Sequence, residues 1–110
     1  MKFRNLTPHE VVVQLSDGTT RAFPSEGVAR LDVLPESPFV VDGIPILPAV
    51  RYGSPVDLPP AAEGTMLIVS LIVAQALPGR NDLLAPASDL ANAIRGPDGM
   101  IVAVRALRRG

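Results

Sequence analysis

Three Asp-Gly pairs, Asp17-Gly18, Asp42-Gly43 and Asp98-Gly99, sit in a 110-residue chain with 12 prolines and 9 glycines, and they constrain the fold more than any other feature. Asp-Gly tolerates the two positive φ angles of a tight hairpin turn, and all three pairs are flanked by apolar, often β-branched residues. Residues 10–15, rich in valine, can return through residues 19–23. Residues 39–41 lead into the second pair and residues 44–50 leave it, while residues 91–95 and 100–107 bracket the third. Residues 28–33 add a strand with Ala29, Leu31 and Val33 on one face.

The same prolines limit the strands. Pro45 and Pro48 make residues 44–50 an edge strand, a bulged strand or two short pieces. Pro55, Pro59 and Pro60 make residues 53–63 a stiff, extended connection. Residues 66–77, M-L-I-V-S-L-I-V-A-Q-A-L, begin as a buried strand and fit a short helix from Ser70 to Leu77, stopped by Pro78. Residues 79–90 read as a loop. The expected fold is mainly β: a small barrel or twisted antiparallel sheet built from hairpins, with one short helix near residues 70–77, in a single domain spanning residues 1–110.

Hydrophobic residues make up 47% of the chain but aromatics only 4%, so the core must be aliphatic. That much apolar surface in so small a domain points to self-association as a homo-oligomer, with a dense core plus surface alanines as the plain alternative. A net charge of −1 argues against nucleic-acid binding, which relies on a strongly basic surface. No cysteine is present, which excludes disulfides, thiolate zinc sites and cysteine nucleophiles and fits the cytoplasm. The N-terminus lacks a hydrophobic signal core, and the longest apolar stretch falls short of the ~20 residues that span a bilayer. No membrane role is expected.

Chemistry-bearing side chains concentrate at the N-terminus, where Asn5, Thr7, His9 and Glu10 follow one another and His9 is the only histidine. Thr7 and His9 can contact a ligand with Pro8 stiffening the loop; the alternative is that Asn5 or Thr7 satisfies backbone groups at the entry to the first strand. A lone histidine without a second histidine or a cysteine is a poor metal site. In Pro78-Gly79-Arg80-Asn81-Asp82, Arg80 can present a guanidinium to an anion with Asp82 orienting it, or the two form an ordinary surface pair. Tyr52, the only tyrosine, can stack on a base or close a strand end. Ser70 lacks the G-x-S-x-G flanks of a nucleophile and reads as a buried hydroxyl bonded to the backbone. There is no phosphate-binding loop and no dinucleotide fingerprint, so no cofactor is expected.

Taken in order, N-L-T-P-H-E-V-V-V, G-I-P-I, Arg51-Tyr52-Gly53, G-T-M-L-I-V-S-L-I-V-A-Q-A, P-G-R-N-D-L-L-A-P and D-G-M-I-V-A-V resemble a family of small proteins from bacteriophages and bacterial genomes that begin with an N-L-T-P-H motif. The resemblance implies a phage or prophage setting, where small proteins serve as virion components, host-takeover binders or counter-defence proteins. It also implies that a shared site would use Asn5, Thr7, His9, Tyr52, Ser70, Arg80 and Asp82.

The functional expectation is a non-enzymatic, oligomeric phage-type accessory protein acting in the host cytoplasm. It would hold a small anionic ligand such as a nucleotide, or a host protein, through Asn5, Thr7, His9, Tyr52, Arg80 and Asp82. The alternative is a virion structural or decoration protein that works through apolar assembly surfaces. A third reading, a small hydrolase or transferase with His9 as base, lacks a partner set. A pocket holding both His9 and Arg80 would favour the ligand binder, and a broad apolar face would favour assembly.

Overall fold

The computed structural model describes all of residues 1–110 and shows a mainly β protein with one short helix. The chain runs through β1 (Lys2–Asn5), β2 (Val11–Gln14), β3 (Thr20–Phe23), β4 (Arg30–Val33), β5 (Phe39–Val41), β6 (Ile44–Ile46), β7 (Tyr52–Val56) and β8 (Thr65–Ile68). It continues through α1 (Leu71–Ala76), β9 (Leu83–Pro86), β10 (Ala93–Arg95), β11 (Ile101–Val104) and β12 (Leu107–Arg108).

All three Asp-Gly pairs turn antiparallel hairpins: β2 with β3, β5 with β6, and β10 with β11. At the second, Asp42 and Gly43 have φ of 51° and 77°, the two left-handed angles that select this dipeptide for a type I′ turn. The helix is also where the sequence puts it. Ser70 caps it, its Oγ accepting from the Val73 N–H at 3.4 Å.

Two four-stranded sheets make up the body, with strand orders β1-β8-β9-β12 and β10-β11-β2-β3, and neither closes into a barrel. Hairpins alone do not build them. β8 pairs in parallel with both β1 and β9, and β11 meets β2 in parallel at Val104 and Val13. The α1 segment provides the crossover that parallel β8 and β9 require. The stretch expected to be a loop at residues 79–90 contains β9, an inner strand, because Leu83 and Ala85 point into the core and are buried. The stiff connection expected at residues 53–63 begins as β7, with Pro55 opposite Leu31 in a two-stranded ribbon where one edge needs no donor.

Two aliphatic clusters hold the body together. Leu6, Ala29, Leu31, Leu67, Val69, Val73, Ala74 and Leu83 form one. Val11, Val13, Ile68 and Val104 form the other, flanked by Phe3, Phe23 and Leu107. Even so, only 16 of 110 residues are buried.

The reason is residues 30–56. β4 leaves the first cluster at buried Leu31 and pairs with β7, and the chain between them forms the β5–β6 hairpin, a second two-stranded ribbon; the two ribbons together are here called the arm. Every residue from 37 to 52 is exposed. The molecule measures 55 × 38 × 20 Å with a radius of gyration of 16.7 Å. A compact chain of this length would have about 13 Å.

Candidate functional sites

The N-terminal motif folds around Asn5, which is completely buried at the junction of β1 and β2. Its Nδ2 donates to the carbonyls of His9 and Phe23, both at 2.8 Å. Its Oδ1 accepts from the Thr7 N–H at 2.9 Å and from the Thr7 hydroxyl at 2.7 Å. Ser25 Oγ lies 2.6 Å from the Thr7 carbonyl, tying the next segment to the same loop. Every polar group of the Asn5 amide is therefore used in fixing the chain between the two sheets. A short polar side chain that bonds its own backbone two residues on is the standard turn device of Asn, and here it also joins β1 to β3.

His9 enters this network through its carbonyl, while its residue is exposed. It lies on the wall of a cleft of about 320 Å³, the first candidate site. Residues 7–12 form one wall of the cleft, with Ser70, Leu71, Pro86, Ser88 and residues 101–104 completing it. The lining is half apolar, with Glu10, Ser70 and Ser88 as the polar groups beside His9 and Thr7. Ser70 does bond to the backbone as its sequence setting suggests, but it is exposed at this cleft rather than buried, because a residue capping a helix sits at its open end. The ion pairs of the molecule join Arg4 to Glu26, Arg30 to Asp32, Arg80 to Asp82 and Arg108 to Asp89; His9 is in none of them, although Glu10 lines the same cleft. No group of three His, Cys, Asp or Glu side chains is placed to hold a metal ion.

Arg80 and Asp82 pair with each other, away from this cleft. The Arg80 guanidinium donates from Nε and one terminal nitrogen to the two Asp82 carboxylate oxygens, each at 2.9 Å. The same terminal nitrogen also donates to the Pro59 carbonyl at 3.0 Å. The hydrogen bond from Arg80 holds the Asp82 carboxyl below its ordinary range against the opposing effect of partial burial, and Asp82 in turn raises Arg80. The pair braces the proline-rich connection at residues 59–60, and its charges neutralise each other. Arg80 borders a small cavity of about 110 Å³ beside Arg109; Asp82 borders a different one beside Lys2, Arg4 and Glu26.

Tyr52 opens β7 on the arm, opposite Val33. The structure thus brings Asn5, Thr7 and His9 together, brings Arg80 and Asp82 together, and leaves Tyr52 apart from both groups. No cavity holds Arg80 and His9.

The arm is the second candidate site, and sequence reasoning did not single it out. Apart from half-buried Leu34, its large apolar side chains from Val33 to Tyr52 are 37–66% exposed. In a two-residue hairpin the closing pair, Val41 and Ile44, is hydrogen-bonded, and side chains alternate between faces. Phe39, Val41, Ile44 and Ile46 therefore share one face of the ribbon, and Val40 and Pro45 share the other. The available signal was P-F-V-V-D-G-I-P-I itself, a tight turn whose strands are apolar at every position and framed by prolines. No family model, curated protein or solved structure matches this chain.

Proposed function

We propose that this chain is a non-enzymatic binding protein that works through assembly, in the phage-type setting that its N-L-T-P-H motif suggests. The observation that carries this reading is the arm: a ribbon exposed along all of residues 37–52, with apolar side chains on both faces. Monomeric proteins seldom keep a contiguous apolar patch beyond a few hundred Å² in water unless it has a partner. The chemistry of the body points the same way. Asn5 and Thr7 are committed to holding the loop, Arg80 and Asp82 are committed to each other, and His9 is in no ion pair. A virion component or host-protein binder needs packing surface rather than a reaction centre.

Native mass spectrometry tests this on the full chain purified gently from cells that make it, beside a Val41→Glu/Ile44→Glu variant. The expected result is material heavier than the 11.6 kDa chain, returned to that mass by the double substitution. Unsubstituted chain that arrives at 11.6 kDa would remove the reading.

A second reading rests on the His9 cleft, whose 320 Å³ lies within the range of small-molecule sites. It places a small ligand there, gripped by His9, Ser70 and Ser88, without help from Arg80 or Tyr52. Titrating adenosine monophosphate against the ¹⁵N-labelled chain should then shift the His9, Ser70 and Ser88 amides first. Shifts confined to the Arg80–Arg109 region, or no shifts, would remove it.

A further inference from the structure

We infer that the arm is an oligomerisation arm whose exposed apolar side chains, centred on the Phe39–Val41–Ile44–Ile46 face, are covered by a second copy of this chain. The inference rests on the assembly reading above and names the occupant. Four observations select it.

Size is the first. The nine apolar side chains exposed from Val33 to Tyr52, at 37–66%, leave on the order of 800 Å² in water counted over both faces of the arm, about what one partner contributes to a standard-size interface. Charge is the second. On the β5–β6 hairpin the only charged side chain is Asp42, at the turn tip, while Arg30, Asp32, Glu36 and Arg51 lie at the base of the arm, so the hairpin faces themselves have no charge with which to read a nucleic acid or a charged peptide.

The third observation concerns the edges of the ribbon. Val40 and Pro45 form a non-hydrogen-bonded pair, so the Pro45 nitrogen faces outward and removes the donor from the β6 edge. Pro38, one step beyond β5, removes the next outward donor on the opposite edge. Strand addition is discouraged on both sides, leaving face-on packing as the way to cover the arm. A ribbon that packs by its face against an identical ribbon makes an isologous, self-closing contact.

The last observation is timing. A two-stranded hairpin is marginal in water by itself, and the body buries only 16 residues, none of them between 37 and 52. The cover must therefore be present wherever and whenever the chain is made. A second copy always is.

The test uses the recombinant full chain alone, with no other protein present. Sedimentation velocity at tens of micromolar should give a multiple of 11.6 kDa. Val41→Glu/Ile44→Glu should weaken association by at least about a hundredfold, since closing the interface would bury four carboxylates. Leu90→Glu, at the most exposed large apolar residue outside the arm (91% exposed), should change nothing. The chain has no cysteine, so Ile44→Cys supplies a unique thiol, and a short bismaleimide should join two chains through it. The crosslink also guards against a glutamate variant that simply misfolds.

A recombinant chain that stays at 11.6 kDa overturns the inference. So does an oligomer that survives both glutamates, or one that Ile44→Cys cannot crosslink. If the chain alone is a monomer while cell-derived material is heavier through a different protein, the inference falls and the assembly reading stands.

Discussion

The loop at residues 5–10 and the arm at residues 37–52 treat the same problem in opposite ways. In the loop, a polar side chain is completely buried and each of its hydrogen-bonding atoms has a partner inside the chain. In the arm, apolar side chains stand in water and their partners are missing from the chain. A buried amide is tolerated only where its bonds are all made, whereas an exposed apolar face is tolerated only until something covers it. The N-L-T-P-H loop is finished within one chain; the arm, under the assembly reading proposed above, is finished by association.

The contrast breaks most sharply at Asn5. Asn5→Ala should cost about 3 kcal/mol, because it strands the Phe23 carbonyl and the Thr7 N–H and leaves the His9 carbonyl only the Thr7 hydroxyl. Asn5→Asp keeps the acceptor, loses both donors and buries a charge, so it should be no milder. Urea denaturation of the two variants measures this. A midpoint close to that of the unsubstituted chain would mean that the motif is free for ligand contact after all.

Next in size is Arg80→Ala, expected to cost about 1–2 kcal/mol given a bidentate pair whose carboxylate side chain is only 13% exposed. The loss should appear on heating without any change in affinity for adenosine monophosphate, since Arg80 faces neither the His9 cleft nor the arm. The pair also carries a pH signature. Asp82 has a folded value below its unfolded one, so its contribution is complete above the unfolded value near pH 4 and is lost as pH falls through the folded value. Asp17, lowered by its hydrogen bonds with Thr19, and Asp89, lowered first by Asn92, act in the same direction. Stability should therefore fall on acidification below about pH 4, and less steeply in Arg80→Ala, which keeps only the latter two. Equal slopes in the two chains would show that Asp82 gains nothing from its partner.

What the sequence discloses follows the range of the interactions. The hairpins were legible because Asp42 and Gly43 determine their own turn, and the helix because Pro78 stops it; the capping role of Ser70 appeared only in the structure. The parallel pairing of β1, β8 and β9 was not legible, since contacts such as Asn5 with Ile68 join segments that no local turn connects. β9 was hidden by its flanks: Asn81, Asp82 and Pro86 mark a loop, and only burial of Leu83 and Ala85 makes a strand of what lies between. The structural option at Asn5 and Thr7 could be read from their spacing alone. The arm could not, because an unbroken apolar run such as Phe39-Val40-Val41 is the pattern of a strand buried on both faces, and residue type does not say whether the burying partner belongs to the same chain.

A smaller effect is expected at Ser70→Ala. Its cap bond is long at 3.4 Å, so loss of the hydroxyl should cost roughly 0.5 kcal/mol, at the low end for a helix cap. A loss several times larger would tie Ser70 to more than α1.

The smallest intrinsic effect belongs to the arm, and it separates the two regions most cleanly. Ile44 is 63% exposed, so Ile44→Glu removes no packing from the single chain and should alter its stability by no more than about 0.5 kcal/mol. Measured at high protein concentration, however, the unsubstituted chain should melt later than the variant, because binding of a second copy draws the folded state forward by mass action. On dilution the two melting temperatures should converge, with only that of the unsubstituted chain moving. Asn5→Ala should show the reverse pattern, a deficit that persists at every concentration. If the Ile44→Glu deficit also persists on dilution, the arm is packed by its own chain, and the contrast between a loop finished alone and an arm finished by a partner fails.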